Sequence, residues 1–312
     1  MSPDTDPRTE GLPISVCVPA TRSETVGATI AAIRKQTWTD WELIVLGQGA
    51  ADVLEPAVAK AAGGDRRVRY VHLKGRGLSL ARNAAIDAAA GSVIAFTDDD
   101  CEPHADWLAS IAHAFLDDPD LGLVGGAVLS PKALGVLNTC PTVEPSEALY
   151  DPGEDPLHPP DGWDWIGANF AIRRDVAKQL GAFDECLGAG ATFPAAEDTD
   201  YKLRLEAAGV RMLTTPRSAV VHTYGVRGGW AVFRSQQNYA TGNGGMAAKL
   251  TLLGDSRGAQ WMKDTRTMSL RECRSGAPHR VLRGLRRLHY FSAAYDLCLR
   301  DYRVVDGFLK RI

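Results

Sequence analysis

Ser92-Val93-Ile94-Ala95-Phe96-Thr97-Asp98-Asp99-Asp100 (residues 92–100) runs an apolar stretch straight into three carboxylates. The apolar half reads as a strand buried on both faces, as in a parallel sheet. The Ala-rich segment before it, Leu78 to Ala90, reads as a helix ended by Gly91. Further upstream, Ile14–Pro19, Trp41–Leu46 and Val68–His72 read as strands. Between the first two, Val26, Ile30 and Ile33 recur at helical spacing, with Ser23 placed to cap that helix. Strands alternating with helices of about a dozen residues predict an α/β fold, a mostly parallel sheet flanked by helices. Ligands of such sheets bind beyond the carboxyl ends of the strands. The residues just after Pro19, Leu46 and Thr97 are therefore the places to look for chemistry.

The pattern continues with a strand at Gly122–Leu129 and a loop over 130–162 rich in Pro, Asp and Glu. A loop that long inside a compact domain is usually functional or mobile. Regular structure is expected again at Trp165–Ile172, with a helix near Arg174–Leu180. A Gly-rich loop, Gly188 to Pro194, precedes a helix starting near Glu197, and Val220-Val221-His222 reads as a last strand. From about Trp230 the chain reads as largely helical. The expected organisation is a disordered tail over 1–12, a catalytic domain over 13–228 with halves 13–130 and 131–228, and a helical region over 229–312.

Composition narrows the function classes. The chain has 312 residues, 45% hydrophobic and 23% charged, with a net charge of -3. That balance argues against an overall basic field for nucleic acid. No apolar run approaches the roughly 20 residues of a membrane span. The first dozen residues lack the charged-then-apolar order of a secretory leader. The six cysteines are scattered without a Cys-x-x-Cys pair, so a disulfide framework or zinc site is not expected and a cytoplasmic location is the default.

Three adjacent carboxylates repel one another, and without a counter-cation at least one pKa should rise. A divalent cation removes the conflict, and hard oxygen ligands favour Mg²⁺ or Mn²⁺, which also bind phosphate oxygens. The other reading is an acidic turn that starts a helix near Glu102-Pro103; the residues admit both.

Several further segments, taken in order, resemble glycosyltransferase family 2, whose enzymes have the GT-A fold. They are Ile14–Pro19, Gln36-Thr37, the Ala81-Arg82-Asn83 segment, Phe96–Asp100, Gly167–Arg174, Gly181–Glu185, Glu197–Tyr201, and Pro216 with His222. The likeness covers about residues 13 to 225. It implies a GT-A Rossmann-like sheet with a helical C-terminal extension. The implied enzyme is a metal-dependent, inverting glycosyltransferase that moves a sugar from a nucleotide-diphosphate donor, a UDP-sugar, to an acceptor hydroxyl.

The resemblance also assigns roles. Asp98, Asp100 and His222 would hold Mn²⁺ or Mg²⁺, which neutralises the departing diphosphate as a Lewis acid. Pro19, Thr21, Gln48, Arg82, Asn83, Asp98 and Asp99 would contact the donor. Asp198, beside Glu197, would take the acceptor's proton as general base; the other reading is that either acid caps the helix. Asn169 and Trp165 would meet a sugar, with core packing the other reading for the tryptophan. One departure stands out. Where the family often has Asp-Asp-Gly-Ser, this chain has Gly47-Gln48-Gly49-Ala50. The Gln48 amide can still read a base edge.

Arg227, Arg234 and Lys249 lie in a Gly-rich stretch where a segment could close over the diphosphate. Residues 266–312 hold 11 Arg or Lys against four acids. Leu282, Leu285, Leu288 and Phe291, spaced in threes, suggest one apolar stripe. Such a helix either packs on the catalytic domain or lies at an anionic inner membrane face, which would suit a lipid-linked acceptor over a glycan or small molecule. Two other functions use similar features: a nucleotidyltransferase, or a non-catalytic protein that binds sugar nucleotides.

Overall fold

A computed structural model describes residues 11–134, 138–155 and 159–312. The tail expected over 1–12 falls almost wholly outside these. In chain order the elements are β1 (Ile14–Ala20), α1 (Ser23–Ile33), β2 (Trp41–Gln48), α2 (Ala51–Ala62), β3 (Val68–Leu73), α3 (Leu78–Ala88), β4 (Val93–Thr97), β5 (Glu102–Pro103) and α4 (Trp107–Asp117). Then come β6 (Leu123–Leu129), β7 (Asn138–Thr139), β8 (Ala148–Tyr150), β9 (Asn169–Arg173), α5 (Arg174–Leu180), α6 (Glu197–Ala207), β10 (Met212–Val221) and β11 (Arg227–Gly228). The chain closes with α7 (Trp230–Leu252), α8 (Ser256–Cys273), α9 (Pro278–Asp301), β12 (Tyr302–Val305) and β13 (Phe308–Arg311).

The chain divides into two compact units. The first comprises residues up to Arg76, Ala81–Ala182 and Lys202–Arg227; the second comprises Gly77–Leu80, Phe183–Tyr201 and Gly228–Ile312.

The first unit carries the sheet, in the order β3-β2-β1-β4-β9-β6-β10-β5 with β8 also on β10. β1 pairs in parallel with β2 and β4, β2 with β3, and β6 with β10; β9 runs against both of its neighbours. The sheet is thus mostly parallel, as the strand–helix alternation implies. Val16, Val18, Leu43, Val45, Val93 and Ala95 are fully buried. Each such Val or Leu contributes about 1.5–3 kcal/mol, and this explains why these strands read as continuous apolar runs. Helices α1, α2 and α4 cover the sheet with Val26, Ile30, Leu54, Val58, Trp107 and Ile111.

Local expectations and structure differ in places. Ser23 does not cap α1. Arg22 holds the N-cap position with extended backbone, and the Ser23 hydroxyl turns to Glu24. The expected strand at Trp165–Ile172 begins only at Asn169. The closing strand is longer than Val220–His222 and shifts register between Thr215 and Ala219. Pro216 falls inside that irregularity, where its missing N–H interrupts no ladder.

In the second unit, α7, α8 and α9 pack together and β12–β13 forms a hairpin. The hairpin departs from the helical reading of 229–312, which passed over the turn signal: Asp306-Gly307 stands between Val304-Val305 and Phe308-Leu309, and both turn residues have positive φ, 51° and 82°. The expected leucine stripe does not hold. Leu282 and Leu285 are 47% and 55% exposed. Three steps of three residues rotate a helix by half a turn, so Leu282 and Phe291 face opposite ways. The buried face is Gly284, Phe291, Ala294 and Cys298.

Lys249 anchors the second unit. Its ammonium is 1% exposed and lies 2.8 Å from Asp184 and 2.6 Å from Asp200. Asp184 also accepts the backbone N–H groups of Cys186 (3.0 Å) and Leu309 (2.8 Å). Lys249 therefore does not serve as a mobile phosphate clamp, because leaving would strand two buried carboxylates. Lys249→Met should destabilise by about 3–5 kcal/mol, the cost of breaking a buried pair from one side. Urea unfolding monitored by circular dichroism measures it.

Candidate active site

Asp98, Asp99 and Asp100 follow β4 directly, where the sheet's pairing ends and the chain turns toward β5. Each carboxylate meets a different environment. Asp99 is 2% exposed and faces the segment after β1. It accepts the N–H groups of Thr21 at 2.7 Å and Arg22 at 3.0 Å, and the Arg22 guanidinium binds it through Nε at 2.9 Å and again through Nη2. This is a charge-assisted clamp between two strand ends. It corrects the expectation that Asp99 contacts the donor: its oxygens hold the β1 loop, and Thr21 contributes its N–H to the same clamp.

Arg22 is the site residue the sequence reading missed. Its Nη1 reaches Asp100 at 2.7 Å. Charge crowding at the triplet called for a counter-cation, and an arginine just beyond β1, the neighbour of β4, was the available signal.

Asp100 is 3% exposed and turns its other oxygen to His222 Nε2, 3.3 Å away. Burial works against its charge, but the His222 hydrogen bond and the charges of His222 and Arg22 hold its carboxyl below the usual range. His222 follows β10 and donates its backbone N–H to Leu129 at 2.8 Å, extending the pairing with β6. Its Nδ1 faces the Pro141 carbonyl at 3.1 Å. The carbonyl can only accept, so Nδ1 carries a proton there and the ring aims Nε2 at the carboxylates, as imidazole ligands are commonly oriented; an Nε2 proton, where present, goes to Asp100. A Cβ at Gly225 would lie 2.4 Å from the His222 ring, so only glycine lets the chain pass there. Burial opposes protonation of His222, yet Asp100 raises its pKa.

Asp98, half-buried, is left without such a clamp. Burial and the charge of Asp100 push its pKa up to about 6, against the pull of Arg82 and His222. One carboxyl of the triplet thus carries the strain that the sequence anticipated. Ligand atoms of Asp98, Asp100, His222 and Cys101 lie within 4.8 Å of one another. Burial and the two aspartates drive the Cys101 thiol well above its ordinary pKa, leaving an oxygen–nitrogen donor set that fits a hard divalent cation.

The remaining expected residues divide clearly. Arg82 is 1% exposed and donates to the Gly167 carbonyl at 2.8 Å, so it is an internal charge and not part of a solvated helix face. Asn83 is half-buried on α3; Gln48 ends β2 at 5% exposure, and Pro19 is half-buried near the end of β1. Asn169 is fully buried: its amide donates to Ala127 at 2.8 Å and Ser218 at 2.9 Å, and its oxygen accepts from Trp107 at 2.8 Å. Both N–H groups are committed inside the sheet, which corrects its assignment to a sugar. Trp165 is 1% exposed, packed on Phe170 and over Gly125; it is core, not a stacking platform.

Within the second unit, Glu197 and Asp198 open α6. Ala196, just before them, has φ 70°, a left-handed conformation that costs a non-glycine residue about 1–2 kcal/mol. Glu197 is 6% exposed and packs against Gly188, whereas Asp198 is half-buried and accepts the Thr199 N–H at 2.8 Å. Of the two, Asp198 is the more accessible acid.

A mostly parallel sheet with carboxylates at the end of a central strand puts the cluster where open α/β sheets bind ligands, and comparison with known proteins gives the family. Residues 15–181, more than half of the chain, match Glycosyl transferase family 2, and the chain belongs to that family. It is 25% identical over 223 residues to the glucosyl-dolichyl phosphate glucuronosyltransferase of Haloferax volcanii, covering 69% of this chain and 70% of that one. Two solved structures share the GT-A fold. One is S. aureus TarS 1-349 in complex with UDP-GlcNAc, with TM-score 0.61, 16% identity, and coverage of 96% and 97%. The other is the mannosyltransferase PcManGT from Pyrobaculum calidifontis with GDP-Man and Mn²⁺, with TM-score 0.54, 18% identity, and coverage of 97% and 80%. The protein is a glycosyltransferase.

The three carboxylates should separate in a stability test on metal-free protein. Asp99→Ala removes charge-assisted hydrogen bonds and should cost about 2–3 kcal/mol. Asp98→Asn removes a charge that burial penalises and should leave the melting temperature unchanged or raise it. Differential scanning calorimetry of both variants, with chelator present, checks the order.

Proposed function

We propose that this enzyme transfers a sugar from a UDP-sugar to an acceptor hydroxyl with inversion, with a divalent cation held by Asp98, Asp100 and His222. The observation that carries the reading is the gathering of those three side chains, with His222 Nε2 oriented by the Pro141 carbonyl and Asp98 left with a raised pKa. Mn²⁺ or Mg²⁺ there would supply Lewis-acid stabilisation of the diphosphate as the sugar departs. The relatives support the donor class: one neighbour is bound to UDP-GlcNAc and another to GDP-Man and Mn²⁺.

The chain's own residues supply the rest. Arg22 fixes Asp99 and one oxygen of Asp100, so the strand end keeps its shape whatever binds. Gln48, Pro19 and Asn83 remain candidates for donor contact. Asp198 takes the proton of the acceptor hydroxyl, and Glu197 stands beside it, packed on Gly188. A single base without a protein nucleophile gives one displacement and inverted stereochemistry, by the same logic as an inverting glycosidase.

The acceptor is a glycan, a lipid-linked sugar or a small molecule; nothing in the charge balance favours nucleic acid. No helix among the described residues is long and apolar enough to cross a membrane. The exposed Leu282 and Leu285 beside the arginines of α9 fit peripheral contact with an anionic surface. All six cysteines are free thiols, which suits a reducing cytoplasm.

The experiment is a thermal-shift series with UDP and UDP-sugars, with and without Mn²⁺, followed by product analysis. UDP with Mn²⁺ should raise the melting temperature more than either alone, by linkage. His222→Ala should abolish that synergy. Asp198→Asn should keep the synergy and reduce transfer by about 10²–10⁴-fold, the range for a general base. Full turnover by Asp198→Asn removes the base assignment, and a melt indifferent to Mn²⁺ removes the metal.

A further inference from the structure

Helices α7, α8 and α9 enclose a cavity of about 230 Å³ within the second unit. Its walls are of two kinds. Trp261, Met268, Tyr290 and Phe291 give apolar surface, and Arg283, Arg286 and Arg287 line it from α9. These arginines stand three and four residues apart, so they project from one helix face. One acid answers them. Glu272 pairs with Arg283 at 2.6 Å and with Arg287 at 3.3 Å. Arg286 has no carboxylate partner among the described residues. It lies instead between two rings, 5.5 Å from the centre of Phe233 and 5.3 Å from that of Tyr290, held by cation–π attraction. The Nε atoms of Arg283 and Arg286 are buried and have no hydrogen-bond acceptor. A buried donor without an acceptor costs stability unless something supplies one.

We propose that this cavity binds the phosphate of a phosphate ester that carries an apolar group. Three guanidinium groups against one carboxylate leave an excess positive charge that suits a dianion. The planar forks of arginine match phosphate oxygens in pairs. A bare anion has no use for the tryptophan and phenylalanine, and a neutral sugar has no use for the unpaired guanidinium. The volume falls below the roughly 300–1,000 Å³ of a pocket that encloses a whole ligand. It therefore takes the head and first carbons, with the remainder outside. None of these residues belongs to the carboxylate cluster or to the Glu197-Asp198 pair, so the proposal stands apart from the donor chemistry.

The test is isothermal titration calorimetry of the full chain with decyl phosphate, below its micelle concentration. Inorganic phosphate and phosphatidylcholine vesicles, with and without phosphatidic acid, are the comparison arms. Wild type should bind decyl phosphate saturably and more tightly than inorganic phosphate. Arg286→Gln and Arg283→Gln should each weaken binding by about tenfold or more, the scale of a lost charged contact, with helicity unchanged. Arg286→Lys keeps the charge without the fork and should fall between, which guards against a glutamine variant that misfolds. Absence of saturable binding, or equal binding by wild type and Arg286→Gln, overturns the proposal. Equal affinity for inorganic phosphate overturns its apolar half. Binding to phosphatidic acid vesicles but not to monomeric decyl phosphate overturns the cavity in favour of a membrane surface.

Discussion

Three carboxylates in consecutive positions at the end of a buried strand cannot share one environment, and the site is organised around that constraint. β4 ends inside the sheet, so its last residues emerge into a region that water reaches poorly. Asp99 is held by Arg22 and two backbone N–H groups, and Asp100 is divided between Arg22 and His222. Asp98 keeps the residual conflict, expressed as a pKa near 6. Crowding that a simple acidic turn would relieve by solvation is here relieved by partners from the segments just after β1 and β10. Each partner in turn fixes a strand end, and the β1 loop is the clearest case.

Buried charge also organises the second unit. Lys249 satisfies Asp184 and Asp200, and Asp184 reaches the hairpin through the Leu309 N–H. Asp200 lies two residues beyond Asp198 on α6, so the helix turn that presents the proposed base is tied to α7 by a buried ion pair. A left-handed Ala196 at the start of that turn is strain of the kind found where a backbone is held for a purpose.

Much of this was legible in the sequence, and the failures have physical causes. β1, β2, β4 and β6 announced themselves because burial on both faces leaves continuous apolar runs, and α5 and α6 began where Arg174 and Glu197 suggested; the short β7 and β8 fall in the stretch over 130–162 that reads as a loop, because two or three residues carry no periodicity. The acidic strand end was legible as well, since three adjacent carboxylates need an explanation. What composition could not convey was direction. Asn169 and Trp165 look like sugar contacts in one dimension, but the pleat of β9 and the packing of the segment before it turn both inward. Arg82 looks like a surface arginine of an Ala-rich helix, yet it points into the sheet toward Gly167. Arg22 was passed over because its role depends on β1 and β4 being neighbours, which the order of the chain does not reveal. The leucines of α9 misled because a spacing of three drifts around a helix instead of holding one face.

The central claim is that the cluster of Asp98, Asp100 and His222 takes a divalent cation. An anomalous difference map recorded at the manganese edge, from crystals grown with Mn²⁺ and UDP, tests it most directly. The account expects a peak bonded to oxygens of Asp98 and Asp100 and to His222 Nε2, with Arg22 still on Asp99. A map with no peak there, or with manganese bound instead at Glu197 and Asp198, would contradict it.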